Sequence, residues 1–165
     1  MKVFLEKADF DDCAEILRMQ TEAFAQLLDK YQDFNTNPAA ESLKAVERKY
    51  MQDCTIYYFI MLDNVKIGVI RVVKINDDIC RISPIFIMPE FQNKGYAKAA
   101  MAEAERLYPR VKEWHIDNIK QESKLCCLYE KLGYNPTGKE EQIKDGMTLF
   151  IIKSCVKFKR RLLCA

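Results

Sequence analysis

The sequence predicts a mixed α/β domain: a central, mostly antiparallel sheet with one parallel pair, flanked by about four helices. Three observations carry this. Two β-prone runs, 55–62 and 65–75, are joined by Asp63-Asn64, residue types that suit a two-residue hairpin turn. A third run, 79–88, is followed by a helical pattern and then by a fourth run at 113–119. Two strands joined through a helix make a parallel βαβ crossover. A last pair of runs, 134–143 and 147–153, flanks Asp145-Gly146, which again suits a hairpin.

The remaining elements follow in chain order. Residues 3–7 alternate weakly and read as a first strand. Asp9 looks like an N-cap, and Asp11 and Asp12 complement the dipole of a helix running to about Leu28. Phe10, Cys13, Ile16, Leu17, Phe24, Leu27 and Leu28 line one face of that helix. Residues 31–36 read as a loop. Asn37-Pro38 reads as the start of a second helix, carried by Leu43, Val46 and Tyr50 to about Met51. Pro84 lies inside the 79–88 run and cannot donate to a ladder, so it marks an edge or a bulge. Ala97, Ala100, Met101, Ala104, Leu107 and Tyr108 form one face of a third helix, its small residues suited to close packing on the sheet. Leu125, Leu128, Tyr129 and Leu132 mark a fourth helix, closed by Gly133 at its C-terminal end.

Composition bounds the function. At 165 residues, 49% apolar and 30% charged, the chain reads as one domain, 1–165, with a core over 3–153 and a C-terminal extension over 154–165. A net charge of +2 is too small to argue for nucleic-acid or anionic-membrane partners, and neither is expected. The basic cluster Lys157-Phe158-Lys159-Arg160-Arg161 reads as a solvated tail. Seven cysteines lie at 13, 54, 80, 126, 127, 155 and 164 without any C-x-x-C pair, which fits neither zinc nor thioredoxin-type chemistry nor a disulfide framework. The first residues lack the apolar core of a signal peptide, and no run is long enough to span a bilayer. A cytoplasmic location is the expectation.

The chemistry concentrates where the 79–88 run ends. The loop Glu90-Phe91-Gln92-Asn93-Lys94-Gly95-Tyr96-Ala97 leads straight into the third helix. First-turn N–H groups have no acceptor inside their own helix, and the helix dipole places partial positive charge there. A diphosphate is therefore expected on residues 92–97: Gln92, Asn93, Lys94, Gly95, Tyr96 and Ala97. Gly95 lets the backbone approach a phosphate closely, Gln92 offers a side-chain donor, and Lys94 or Lys98 adds charge. The alternative for Gln92-x-x-Gly95-x-Ala97 is an ordinary βα turn. Neither G-x-x-x-x-G-K-[ST] nor G-x-G-x-x-G occurs, which sets aside nucleotide hydrolysis and Rossmann dinucleotide binding.

A second constellation is Leu128-Tyr129-Glu130-Lys131-Leu132-Gly133-Tyr134. Taken with the loop, in this order and with a strand between them, it resembles the GNAT superfamily of acetyl-coenzyme A-dependent N-acetyltransferases. The resemblance spans residues 3–153 and implies an acyl-CoA N-acyltransferase fold whose parallel strand pair is splayed. It implies that the main chain of Ile85, Phe86 and Ile87 pairs with the pantetheine arm, and that an N–H near Ile87 polarises the thioester carbonyl. It also implies that Tyr129 is the general acid for the departing thiolate; the alternative for Tyr129 is a core aromatic. Two departures stand out. Gln121 and Glu122 occupy the region where many members carry an Asn that touches the cofactor. The 79–88 run lacks the carboxylate that many members use as a base.

Candidate bases are Glu22, Asp29, Asp33 and Glu122, each alternatively a solvated carboxylate. In this superfamily the first helices and their loop wall the acceptor site, so Glu22, Asp29 and Asp33, with Tyr31 and Phe34 nearby, are the expected substrate-binding residues for a cationic amine. His115 reads as a structural strand residue, and Cys126 and Cys127 as packing residues. The resulting expectation is direct acetyl transfer from acetyl-CoA to a primary amine without a metal. The acceptor is expected to be a small molecule rather than a protein, and the assembly a homodimer, as is common among relatives. The rival is a non-catalytic acyl-CoA-binding sensor of the same fold.

Overall fold

In the computed structural model, residues 2–155 are described. The strands are β1 (Val3–Lys7), β2 (Thr55–Leu62), β3 (Val65–Lys74), β4 (Ile79–Ile87), β5 (Glu113–Ile119), β6 (Asn135–Lys144) and β7 (Met147–Cys155). They form one sheet in the order β1-β2-β3-β4-β5-β7-β6. The β1–β2, β2–β3, β5–β7 and β6–β7 ladders are antiparallel, and β4–β5 is parallel. The helices are α1 (Cys13–Tyr31), α2 (Leu43–Tyr50), α3 (Tyr96–Leu107) and α4 (Ser123–Lys131). The mixed α/β class, with one parallel pair and four helices, is the one read from the sequence. The basic cluster at 157–161 lies outside the described residues, as does Cys164.

The chain divides into two compact units, Met1–Val73 with Pro84–Tyr108, and Lys74–Ser83 with Pro109–Ala165. The first unit is built around Ala8, Ile16, Met19, Val46, Tyr57, Phe59, Val69 and Phe86. Its α1 presents an apolar face as expected but differs at both ends. Phe10–Asp12 form a 3-10 turn, with the Asp12 carboxylate accepting from the Asp9 N–H at 2.8 Å, and α1 proper begins at Cys13. It runs three residues past Leu28, because Gln32 closes it in the left-handed region (φ 51°) with its N–H on the Leu28 carbonyl at 2.7 Å. A non-glycine C-cap leaves no sequence signal.

The second helix also needs correction. Asn37-Pro38 opens only a 3-10 turn over Pro38–Ala40, the Asn37 side chain accepting from the Ala39 N–H at 2.8 Å. Glu41 is then extended, and Ser42 is the cap of α2, accepting from the Ala45 N–H at 3.2 Å. Glu41 is held out of the helix by its side chain, which takes the Lys49 ammonium and the Gln20 amide. Gln20 is buried on α1 and also donates to the Pro38 carbonyl at 2.9 Å.

In the second unit, β5 alternates buried and half-buried residues around the fully buried Trp114. Its ladder with β4 covers only Ile79–Ile82 against Glu113–Ile116. Pro84 was expected at an edge or a bulge; β4 is interior in strand order, and Pro84 stands two residues past the end of the ladder with β5. Gly133 closes α4 at φ 82°, its N–H reaching the Glu130 carbonyl at 2.9 Å.

Candidate active site

The strand end and loop singled out from the sequence lie in the first unit. The Phe24 ring of α1 meets the Phe86 ring edge-on at 5.5 Å, and the Met88 N–H donates to the Ile67 carbonyl at 2.8 Å. Phe86 and Ile87 are buried; Ile85 is half-buried. A 3-10 turn, Pro89–Phe91, follows. The Gln92 side chain turns back on the strand: its Nε2 donates one N–H to the Ile87 carbonyl at 2.9 Å, tying the loop to the strand it leaves. Lys94 folds back, its ammonium donating to the Glu90 carbonyl at 3.1 Å and lying 5.7 Å from the Phe91 ring centre.

The start of α3 is uncapped. Asn93 (φ 61°) and Gly95 (φ 81°) both take the left-handed conformation, and Gly95, the N-cap residue, has no side chain to occupy the first-turn amides. The backbone bond from the Ala99 N–H to the Gly95 carbonyl, at 3.1 Å, follows the first-turn N–H groups of Tyr96, Ala97 and Lys98, which have no acceptor within the helix. That first turn carries no acidic residue. No atom outside the adjacent chain lies within 4 Å of where a Gly95 side chain would begin. The dipole contribution to an anion there is about 0.3–1 kcal/mol. This fits a diphosphate and rests on main-chain donors rather than on Gln92 or Lys94. The small residues Ala100 and Ala104 are fully buried, as close packing of α3 requires.

Tyr129 lies in the second unit, on α4. It is 8% exposed, its ring 6.0 Å from that of Tyr134 in an edge-on contact. With Cys126, Tyr134, Pro136, Phe150 and Ile152 it lines a small, mainly apolar cleft. Burial pushes its phenol up to about 12, so it is protonated throughout the neutral and mildly alkaline range. Its hydroxyl makes no hydrogen bond among the described residues.

The other residues sort by their partners. Asp33 is 3% exposed and closes its own loop: one carboxylate oxygen accepts from the Asn35 and Thr36 N–H groups, both at 3.1 Å, and the other takes the Thr36 hydroxyl. Glu22 is exposed and pairs with Arg18 at 3.4 Å; Asp29 is exposed. Gln121 is engaged by β7, accepting from the Thr148 N–H at 2.9 Å, and Glu122 is the N-cap residue of α4 without a side-chain cap bond. His115 is half-buried on β5, its Nε2 2.5 Å from the Glu113 carboxylate. That contact, with Lys153 at 3.2 Å, holds the Glu113 carboxyl below its ordinary range. Burial raises the Cys126 thiol, which donates to the Ile119 and Lys120 carbonyls, so it is a poor nucleophile. Among the described residues no group of His, Cys, Asp and Glu is placed to hold a metal ion, and no helix is long and apolar enough to cross a membrane.

Sequence reasoning passed over Gly68, in the interior of β3. A side chain there would overlap the Phe86 carbonyl oxygen and stand 3.1 Å from Ile87 Cα. The signal was available, since an isolated glycine in a strand pattern marks a bulge or a close backbone approach.

Comparison with known proteins bears on this arrangement. A family model described as an acetyltransferase (GNAT) domain matches residues 22–153. No curated protein sequence matches the chain. Among solved structures, spermidine N-acetyltransferase from Vibrio cholerae, in complex with CoA and spermine, superimposes with TM-score 0.74 at 18% identity, covering 94% of this chain and 96% of that one. The ribosomal-protein-S18-alanine N-acetyltransferase of Escherichia coli gives TM-score 0.74 at 13% identity over 93% and 94%. The PaiA N-acetyltransferase of Thermoplasma acidophilum, in complex with coenzyme A, gives 0.68 at 17% identity over 94% and 99%. At these identities the likeness bears on the fold.

Proposed function

The chain belongs to the GNAT family of N-acetyltransferases, and from that premise we propose that it moves an acetyl group from acetyl-CoA to a primary amine by direct attack of the amine on the thioester. The observation that carries the reading is the uncapped start of α3, with Gly95 left-handed and open space in front of it.

Acetyl-CoA supplies an acetyl group already activated as a thioester. The chain's own residues do the rest. The amides of Asn93, Lys94, Gly95, Tyr96 and Ala97 hold the diphosphate at the helix start; the Gln92 N–H, also expected there, is taken by the Pro89 carbonyl at 3.3 Å. The main chain of Ile85, Phe86 and Ile87 takes the pantetheine arm as a strand takes its neighbour. The Ile87 N–H donates to the thioester oxygen as charge gathers on it. Tyr129 offers its protonated phenol to the sulfur as the carbon–sulfur bond breaks.

The acceptor in this reading is a small cationic amine. A protein of the same fold is a spermidine N-acetyltransferase in complex with CoA and spermine, which supports that class. Glu22 and Asp29 present carboxylates for such an amine, whereas Asp33 spends its oxygens on its own turn. Glu122 remains a candidate base. The enzyme is read as one N-acetyltransferase domain, cytoplasmic, working without a metal and assembling as a homodimer.

Titration calorimetry of the purified protein tests the reading. CoA and acetyl-CoA are both expected to bind with Kd below about 1 mM, the upper end of ordinary enzyme affinities. Thiol release is then expected with at least one member of a panel of primary amines. No detectable heat with either ligand removes the proposal. Tight binding with no thiol release from any amine, and no effect of Tyr129→Phe, identifies a sensor instead.

A further inference from the structure

We propose that Gly68 is a positioning residue for the reaction: its missing side chain lets the Phe86–Ile87 peptide turn so that the Ile87 N–H faces away from β3, toward the thioester oxygen. The inference rests on the acetyl-transfer reading above and goes one residue deeper than it.

Two irregularities meet at Gly68. The β2–β3 register slips between Ile60 and Met61: Ile60 pairs with Gly68 but Met61 pairs with Lys66, which leaves Ile67 as an extra residue in β3. The carbonyl of that extra residue accepts the Met88 N–H at 2.8 Å, fixing the end of β4. One residue along, the Phe86 carbonyl oxygen occupies the space in which a Gly68 side chain would begin, and Ile87 Cα and Cδ1 stand 3.1 Å from the same point. The Phe86 carbonyl therefore leans over the Gly68 α-carbon, which only a residue without Cβ permits. The peptide unit is planar and trans, so the Ile87 N–H points opposite to the Phe86 carbonyl. Turning that carbonyl onto Gly68 aims that N–H away from β3.

Gly68 is not in the left-handed region, so alanine is excluded by space and not by backbone strain. An alanine methyl forces the Phe86 carbonyl to rotate, and planarity swings the Ile87 N–H with it. The donor is then misdirected without being removed, and Gly68 touches no reacting atom.

The test is the carbonyl stretch of acetyl-CoA, carbon-13 labelled at the acetyl carbonyl, bound to the protein and read by isotope-edited infrared spectroscopy. In the native protein the band is expected to shift to lower frequency on binding, reporting the hydrogen bond from Ile87. In Gly68→Ala the shift is expected to disappear and kcat to fall about 10²-fold or more, the usual cost of losing one such donor, while the Kd for CoA changes less than about threefold, because the diphosphate amides on α3 are untouched. Ile70→Ala, a cavity in the same strand, is expected to keep the shift. If Gly68→Ala does not fold, Gly68→Ala with Ile87→Ala relieves the Cδ1 contact and keeps the overlap with the Phe86 carbonyl; this pair is expected to lose the shift, with Ile87→Ala alone as its reference. Retention of the shift in either Gly68 variant, or its loss in Ile70→Ala, overturns the proposal. Absence of acetyl-CoA binding by the native protein instead overturns the acetyl-transfer reading beneath it.

Discussion

Tyr129→Phe isolates the proposed acid. The change deletes one oxygen from a side chain that is 8% exposed and whose hydroxyl has no hydrogen-bond partner among the described residues. The ring contact with Tyr134 is kept. Stability is therefore expected to stay within about 1 kcal/mol. The kinetic cost is larger. General acid catalysis contributes about 10²–10⁴-fold, and the structure selects the low end. Burial pushes the phenol to about 12, whereas an ordinary thiol sits near ~8.5. Full transfer of the proton to a thiolate would run uphill by some three to four pKa steps, about 5 kcal/mol. In the proposed mechanism Tyr129 thus serves mainly as a hydrogen-bond donor to the forming thiolate, and its loss is expected to lower kcat about 10²-fold. Steady-state kinetics with saturating acetyl-CoA and amine, with a thermal melt and CoA calorimetry on the same sample, checks this. The Kd for CoA is expected to be unchanged, because Tyr129 makes no contribution to the diphosphate amides. Because the phenol stays protonated, no alkaline decline of kcat below about pH 11 is expected from Tyr129. Retention of more than half of kcat, or an alkaline limb near pH 9 that Tyr129→Phe abolishes, refutes the reasoning.

Two further outcomes follow from the same geometry. Gly95 sits at φ 81° with open space around it, so Gly95→Ala meets no clash and is penalised through the backbone alone, by about 1–2 kcal/mol. Asn tolerates this conformation better, and the Kd for CoA is expected to rise in the order glycine, asparagine, alanine; equal Kd values in calorimetry would count against the left-handed N-cap as part of the anion site. The second concerns alkaline pH. Burial raises both Tyr57 and Tyr129 from an ordinary value of 10.0 to about 12. Between those values the unfolded chain has released phenolic protons that the native chain keeps, so the unfolded state binds fewer protons and stability falls as pH rises. Each phenol accounts for about 3 kcal/mol between pH ~10 and ~12 and for nothing below that window. Urea melts at pH 9 and pH 11.5 are expected to show this loss, with Tyr57→Phe and Tyr129→Phe each removing a share; a loss in both variants as large as in the native protein would refute it.

What was legible in the chain was legible for identifiable reasons. β2, β5 and the two tight hairpins coincide with the sequence reading within a residue or two, because β-branched and aromatic runs bounded by turn residues carry their own signal. The uncapped start of α3 was legible because Gly95 stands just before a helical pattern. The misreadings occurred where a side chain far along the sequence decided a local conformation. Glu41 is extended because Lys49 and Gln20 hold its carboxylate, and no window around Asn37-Pro38 contains both. Gln92 and Lys94 carry the right chemistry for a phosphate, but their side chains are already engaged by the Ile87 and Glu90 carbonyls. Gly68 was visible as a residue and opaque as a function, since its meaning comes from a carbonyl eighteen residues away.

The acceptor is the least legible part, and the reason is physical. Binding a diphosphate demands main-chain donors, and the loop that exposes them leaves a pattern in glycine and in the helix that follows. Binding an amine demands only a carboxylate held at some orientation, and a carboxylate carries no record of what holds it. Asp33 shows this. Beside Tyr31 and Phe34 it reads as an amine-binding group, yet both oxygens bond to its own loop and it is almost fully buried. Glu22 is exposed but shared with Arg18, whereas the Asp29 carboxylate has no partner among the described residues. Desolvating a carboxylate already satisfied by backbone N–H groups gains nothing from an incoming cation, whereas an unpaired one gains a charge-assisted bond. Of Glu22, Asp29 and Asp33, Asp29 is therefore the one whose chemistry is still available to a substrate.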